Sequence, residues 1–98
     1  MILEITQFKL SHNSTEERFL EQAAEVHKGF LSKEDGFVKR SLCKSEQDLW
    51  VDLIWWKTMD QAKAAATALV KEDCAKGFLN AIDPASVNME HVELVKEW

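Results

Sequence analysis

Cysteine is scarce in this chain. Cys43 and Cys74 are the only two, and they form no metal-spaced pair. No disulfide framework and no cysteine-based metal site can be read from them, and they fit the reduced thiols of a cytoplasmic protein. Basic residues are the minority: 12 Lys and Arg stand against 17 Asp and Glu, a net charge of −5. That excludes a nucleic-acid partner, because phosphate binding needs a basic face. No hydrophobic run approaches the roughly 18 residues that a membrane helix needs, so no membrane partner is expected. The opening Met1-Ile2-Leu3-Glu4 has no basic stretch leading an apolar one, so no signal peptide is visible. The Gly-x-Gly-x-x-Gly, P-loop, Cys-x-x-Cys, His-Glu-x-x-His and Gly-x-Ser-x-Gly signatures are all missing. The three histidines, His12, His27 and His91, are scattered. The expectation is therefore no nucleotide cofactor and no metal.

What is present fits one domain. The chain has 98 residues, of which 46% are hydrophobic, enough for a core. A domain of this size buries only about two-thirds of its unfolded surface, so a partner subunit would add stability. There are four tryptophans and no tyrosine, and Trp50, Trp55 and Trp56 fall within seven positions. So much flat apolar surface must be covered by a core, a partner or a ligand.

The hydrophobic pattern predicts a strand over 2–10, with Leu3 and Ile5 on one face and Glu4, Thr6 and Phe8 on the other. Ser14 and Glu17 fit a capping box, which predicts an amphipathic helix from there to about Ser32. Strands follow over 37–44 and 49–57, joined by the polar Ser45-Glu46-Gln47-Asp48. Thr58 and Gln61 form a second capping box, for a helix over about 59–71. A short helical piece capped by Asp73 ends at Asp83-Pro84, and 86–95 reads as the last strand.

Two βαβ units with right-handed crossovers give a ferredoxin-like α+β domain, a four-stranded antiparallel sheet with helices on one face. Along the third strand, Leu49, Val51, Leu53 and Trp55 alternate with Trp50, Asp52, Ile54 and Trp56. Both sets are apolar apart from Asp52. The expectation is that Trp55 lies beneath the helices, while Trp50, Ile54 and Trp56 form a patch too large for a monomer to expose. A second copy would cover that patch by twofold symmetry, giving a homodimer.

The order of elements and three stretches carry a family resemblance. Gly36-Phe37-Val38-Lys39-Arg40 resembles the glycine and aromatic that open the second strand of the antibiotic biosynthesis monooxygenase family, a dimeric α+β barrel family. Trp50-Val51-Asp52-Leu53-Ile54-Trp55-Trp56-Lys57-Thr58 resembles its third strand, and Asp60-Gln61-Ala62 the start of its second helix. The resemblance implies oxygenation of a small, electron-rich planar aromatic or quinol without flavin, haem or metal. That chemistry needs an apolar pocket, a base and a polar anchor, after which the substrate carbanion itself reduces oxygen. Haem degradation is not expected. Thr6 stands where haem-degrading relatives carry asparagine, and no histidine follows the second helix before His91.

Within that frame Asp52 is the candidate base, raised by burial, or else the partner of Arg40 in a structural ion pair. Arg40 is an anchor for an anionic substrate group, or an edge residue facing water. His91 is a second base or proton relay, or a hydrogen-bonded, half-buried histidine. Trp50, Trp56 and Phe8 are walls for a planar substrate, or dimer-interface core. Thr6 and Glu4 share Phe8's face and add polar contacts. The alternative to an enzyme is a non-catalytic homodimer of the same fold that binds a small aromatic molecule.

Overall fold

The computed structural model describes residues 1–98. Its strands are β1 (Ile2–Phe8), β2 (Phe37–Lys44), β3 (Trp50–Trp56) and β4 (Asn88–Glu93). All pair antiparallel, in the order β2-β3-β1-β4. The helices are α1 (Glu16–Gly29), α2 (Met59–Leu69) and the short α3 (Lys76–Asn80), with single 3-10 turns at Leu31–Lys33, Asp73–Ala75 and Pro84–Ser86. This is the ferredoxin-like α+β fold that the order of elements predicts. No helix is long and apolar enough to cross a membrane.

Local chemistry sets the element ends. The cap of α1 is Thr15, one residue later than expected, and its hydroxyl accepts from the Arg18 amide at 3.2 Å. Ser14 is used elsewhere: its hydroxyl donates to the Ala81 carbonyl at 3.0 Å and ties the helix entry to the segment after α3. Thr58 caps α2 as predicted, accepting from the Gln61 amide at 3.2 Å. The reciprocal half of that capping box does not form, since Gln61 Oε1 is buried without a partner. At Gly36 the backbone has φ +85°, and a Cβ there would collide with the Gln61 side chain. Glycine is therefore required where the chain turns into β2 beneath α2. Pro84 opens a 3-10 turn capped by Asp83, whose carboxylate accepts from the Ala85 amide at 3.1 Å.

The helices cover the opposite sheet face from the one expected. Trp50, Asp52, Ile54 and Trp56 are buried within the single chain, and so are Ile2, Glu4 and Phe8 on β1. Phe19 of α1 is the centre of an aromatic cluster, with ring centroids 5.0 Å from Trp50, 5.4 Å from Phe78 and 5.6 Å from Phe8. Edge-to-face and stacked contacts of this kind add stability beyond area burial. Trp56 packs edge-on to Phe37 at 5.9 Å. Trp55 instead belongs to the outer face, half-buried, with the Lys39 ammonium 4.4 Å above its ring. Around it lie the half-buried Leu3, Ile5, Val51, Leu53 and Val92, a row of apolar side chains that no helix covers.

Candidate functional site

Between the inner sheet face and the helices lies a cavity of about 520 Å³. That is within the range of small-molecule sites. Its floor is built by alternate residues of the two central strands: Glu4, Thr6 and Phe8 from β1, Asp52, Ile54 and Trp56 from β3. Its roof comes from α2 (Ala65, Ala66, Leu69) and α3 (Phe78, Leu79). The alanines of α2 leave the space that larger residues would fill. Fourteen of the nineteen lining residues are hydrophobic, so a ligand inside would be shielded from water.

Two buried carboxylates share this floor, and each has a different partner. Both oxygens of Asp52 are taken by Arg40, with Nε donating to Oδ1 at 2.9 Å and Nη2 to Oδ2 at 2.7 Å. Arg40 also donates from Nη1 to the Ala23 carbonyl of α1 at 3.0 Å and lies 5.4 Å from the Phe78 ring. The two side chains are only 6% and 7% exposed. The pairing follows from the β2–β3 register: Leu42 stands opposite Asp52, and Arg40 reaches it diagonally from the same face.

Glu4 is paired with an imidazole. It stands directly opposite His91 in the β1–β4 ladder, and His91 Nε2 lies 2.8 Å from Glu4 Oε1. Glu4 Oε2 takes no hydrogen bond from the protein. Burial pushes the Glu4 carboxyl above its ordinary value, against the hydrogen bond and charge of His91; the Asp52 charge adds to the rise and Arg40 opposes it. The dyad thus couples a carboxylate on the cavity floor to an imidazole near the sheet edge.

The sequence-predicted residues divide accordingly. Glu4, Thr6, Phe8, Asp52 and Trp56 line the cavity together. Arg40 and Trp50 do not: one is held in the ion pair and the other is packed under Phe19. His91 lies behind Glu4 rather than on the wall. Sequence reasoning missed Leu69, Leu79 and Met89 as cavity walls and missed the Glu4–His91 link. Pairing the first and last strands antiparallel with glutamate opposite histidine was the signal that would have found the link. No group of three or more His, Cys, Asp or Glu is arranged to hold a metal.

No protein-family profile matches this sequence, and no curated protein matches it. Solved structures do resemble it in fold. A protein of Bordetella bronchiseptica assigned as an antibiotic biosynthesis monooxygenase superposes with TM-score 0.78 at 16% identity, over 97% of each chain. SnoaB, a cofactor-independent oxygenase from Streptomyces nogalater, gives 0.69 at 17% identity, over 99% of this chain and 93% of SnoaB. MhuD, a haem degrader from Mycobacterium tuberculosis whose structure holds two haems in its active site, gives 0.75 at 14% identity, over 100% and 99%. The chain therefore has, over nearly its whole length, the ferredoxin-like fold of the antibiotic biosynthesis monooxygenase structures.

Proposed function

We propose that this chain is a cofactor-independent monooxygenase that oxidises a small planar aromatic or quinol in the cavity between its sheet and helices. One observation carries the reading: an apolar cavity of about 520 Å³ has on its floor a buried carboxylate, Glu4, with one oxygen on His91 and the other free. Glu4 rather than Asp52 takes the role of base, because Arg40 occupies both Asp52 oxygens. Glu4 Oε2 accepts a proton from the substrate, from the CH2 of an anthrone or from an O–H of a quinol, and His91 holds Oε1 and relays protons between Glu4 and the sheet edge. The carbanion, or the ring carbon of the quinolate, then passes an electron to O2, the two radicals combine, and the peroxide takes a proton back through Glu4 to become a hydroperoxide. Loss of water leaves a carbonyl: an anthrone CH2 and O2 become C=O and H2O, and a naphthoquinol and O2 become a hydroxyquinone and H2O. Asp52 and Arg40 position the floor, Thr6 adds a hydroxyl contact, and Phe8 and Trp56 flank the ring.

The cavity lining offers haem iron no histidine ligand. The one nearby imidazole nitrogen is spent on Glu4. The partner in the reading is a second copy of the chain, seated on the outer sheet face around Trp55. The face expected for it, with Trp50, Ile54 and Trp56, is filled by the chain's own helices. A second reading, a non-catalytic homodimer that binds a small aromatic, is favoured by the mutual satisfaction of Asp52 and Arg40, which leaves one free carboxylate to do all the chemistry.

Oxygen uptake by metal-free protein with a panel of anthrones and naphthoquinols tests the proposal. Uptake proportional to protein and lost in Glu4→Gln supports it. Binding of panel members without uptake moves the assignment to the second reading, and a Soret band that shifts on mixing with haemin moves it to haem.

A further inference from the structure

The cavity has a direction. Its polar end lies on the central strands, at Glu4, Thr6 and Asp52. From there it runs across β1 to the edge strand β4, where Met89 lines it, and to the segment just before β4, where Val87 does. Leu69 and Val70, at the C-terminal end of α2, line the same cavity. The side chains here are apolar and yet open to water: Val70 is 65% exposed and Met89 44%. An apolar rim continuous with an apolar cavity loses exposed area only when something apolar crosses it.

The charges say what the buried end accepts. Among the nineteen lining residues the ionisable ones are two carboxylates, and none is a Lys, Arg or His. The guanidinium nearest the floor, Arg40, is committed to Asp52 and to the Ala23 carbonyl. An anionic group placed there would face Glu4 and Asp52 with no free cation, in surroundings that solvate it poorly. A neutral hydroxyl can instead donate to Glu4 Oε2.

Extending the proposed function, on which this rests, we infer that the ligand is an uncharged phenol or hydroquinone whose hydrocarbon chain leaves the cavity across β4, between Val70 and Met89. Ring and hydroxyl sit over β1 and β3, while the chain covers the exposed rim. A substrate bearing carboxylate or phosphate on its ring is rejected.

Calorimetric titration with 4-alkylphenols of zero, two, four and eight chain carbons, below their aggregation limits, reads the inference separately from turnover. Affinity is expected to rise up to about fourfold per methylene, the equivalent of about 0.8 kcal/mol for each buried CH2. 4-Octylbenzoate is expected to bind at least tenfold more weakly than 4-octylphenol. Val70→Asp, a change at an exposed helix end that circular dichroism can show to be folded, should flatten the dependence on chain length. Met89→Lys gives the same readout from the opposite side of the mouth. A flat series with phenol itself bound overturns the chain and leaves the aromatic site standing. A steep series that Val70→Asp and Met89→Lys both leave unchanged places the chain elsewhere and overturns the inference. Benzoate binding equal to phenol overturns the neutral head. Length-dependent binding without oxygen uptake on the quinol panel keeps this inference and removes only the oxygenase reading.

Discussion

Arg40→Met separates the two roles open to Asp52. In the folded chain Arg40 makes three hydrogen bonds, at 2.9 and 2.7 Å to Asp52 and 3.0 Å to the Ala23 carbonyl, and both partners of the pair are under 10% exposed. Methionine keeps much of the stem's volume against Phe78 but leaves the Asp52 charge buried and alone. Removing one member of a desolvated pair costs about 3–5 kcal/mol. A domain of this size has a total stability on the order of 5–15 kcal/mol, so the loss is a large share of the whole. In urea melts with a slope of about 1.5 kcal/mol per molar, the midpoint should fall by roughly 2–3 M. Arg40→Met with Asp52→Leu should recover most of that loss, because no charge is then left buried. Asp52→Asn should lower stability, and oxygen uptake should fall only as the folded fraction falls. A shift below about 1 kcal/mol for Arg40→Met would show a solvated pair and refute the reasoning. Loss of uptake in a fully folded Asp52→Asn would return the base to Asp52.

Glu4→Gln should alter how stability depends on pH. The folded-state carboxyl titrates above its ordinary value of 4.5, so its contribution is fully present below pH 4.5 and is lost as pH rises through the folded value. The stability of the parent chain minus that of Glu4→Gln should therefore decline with rising pH across that interval and then level off. A difference that does not vary with pH in denaturant melts would contradict the burial of Glu4. Trp55→Asp places a charge in the half-buried outer row, so the light-scattering mass should drop from twice the 11.3 kDa chain mass to that of one chain. An unsubstituted chain already at 11.3 kDa at micromolar concentration removes the homodimer. Gly36→Ala meets both a positive φ and the Gln61 side chain, and should cost more than about 1 kcal/mol by thermal melting. An unchanged midpoint would mean that the turn into β2 relaxes freely.

The order of elements was legible because strand and helix periods differ so clearly here. The short apolar run Trp50–Trp56 between polar stretches and the capping at Thr58 each point to one structure. The face beneath the helices was not legible from β3 alone, since Val51, Leu53 and Trp55 are as apolar as Trp50, Ile54 and Trp56. The neighbouring strands do not break that tie by polarity: Lys39, Ser41, Asn88 and Glu90 share the face of Trp55, while Arg40, Lys44, His91 and Glu93 share that of Trp56 and Asp52. What differs is pairing across strands. On the inner face Arg40 satisfies Asp52 and His91 meets Glu4, so the helices can close over these polar groups. The shift of the α1 cap to Thr15 was beyond reach for a different reason. Ser14 and Thr15 are equally good caps, and the choice falls on Thr15 because Ser14 is drawn to Ala81, 67 positions away.

The ranking of the two carboxylates was hidden for a further reason, and it decides the chemistry. Glu4 and Asp52 are both acidic residues on inward strand positions, and no pattern in their own strands distinguishes them. Their partners do. A guanidinium grips both oxygens of Asp52 in a planar fork, so neither is left for a ligand. An imidazole meets a single oxygen of Glu4, so that carboxylate keeps its other oxygen for a ligand. The same sheet register that sets Arg40 diagonally to Asp52 sets His91 opposite Glu4. Arginine in place of His91, with Arg40 kept, would occupy Glu4 as Arg40 occupies Asp52, and the cavity would be left without a free carboxylate to act as base.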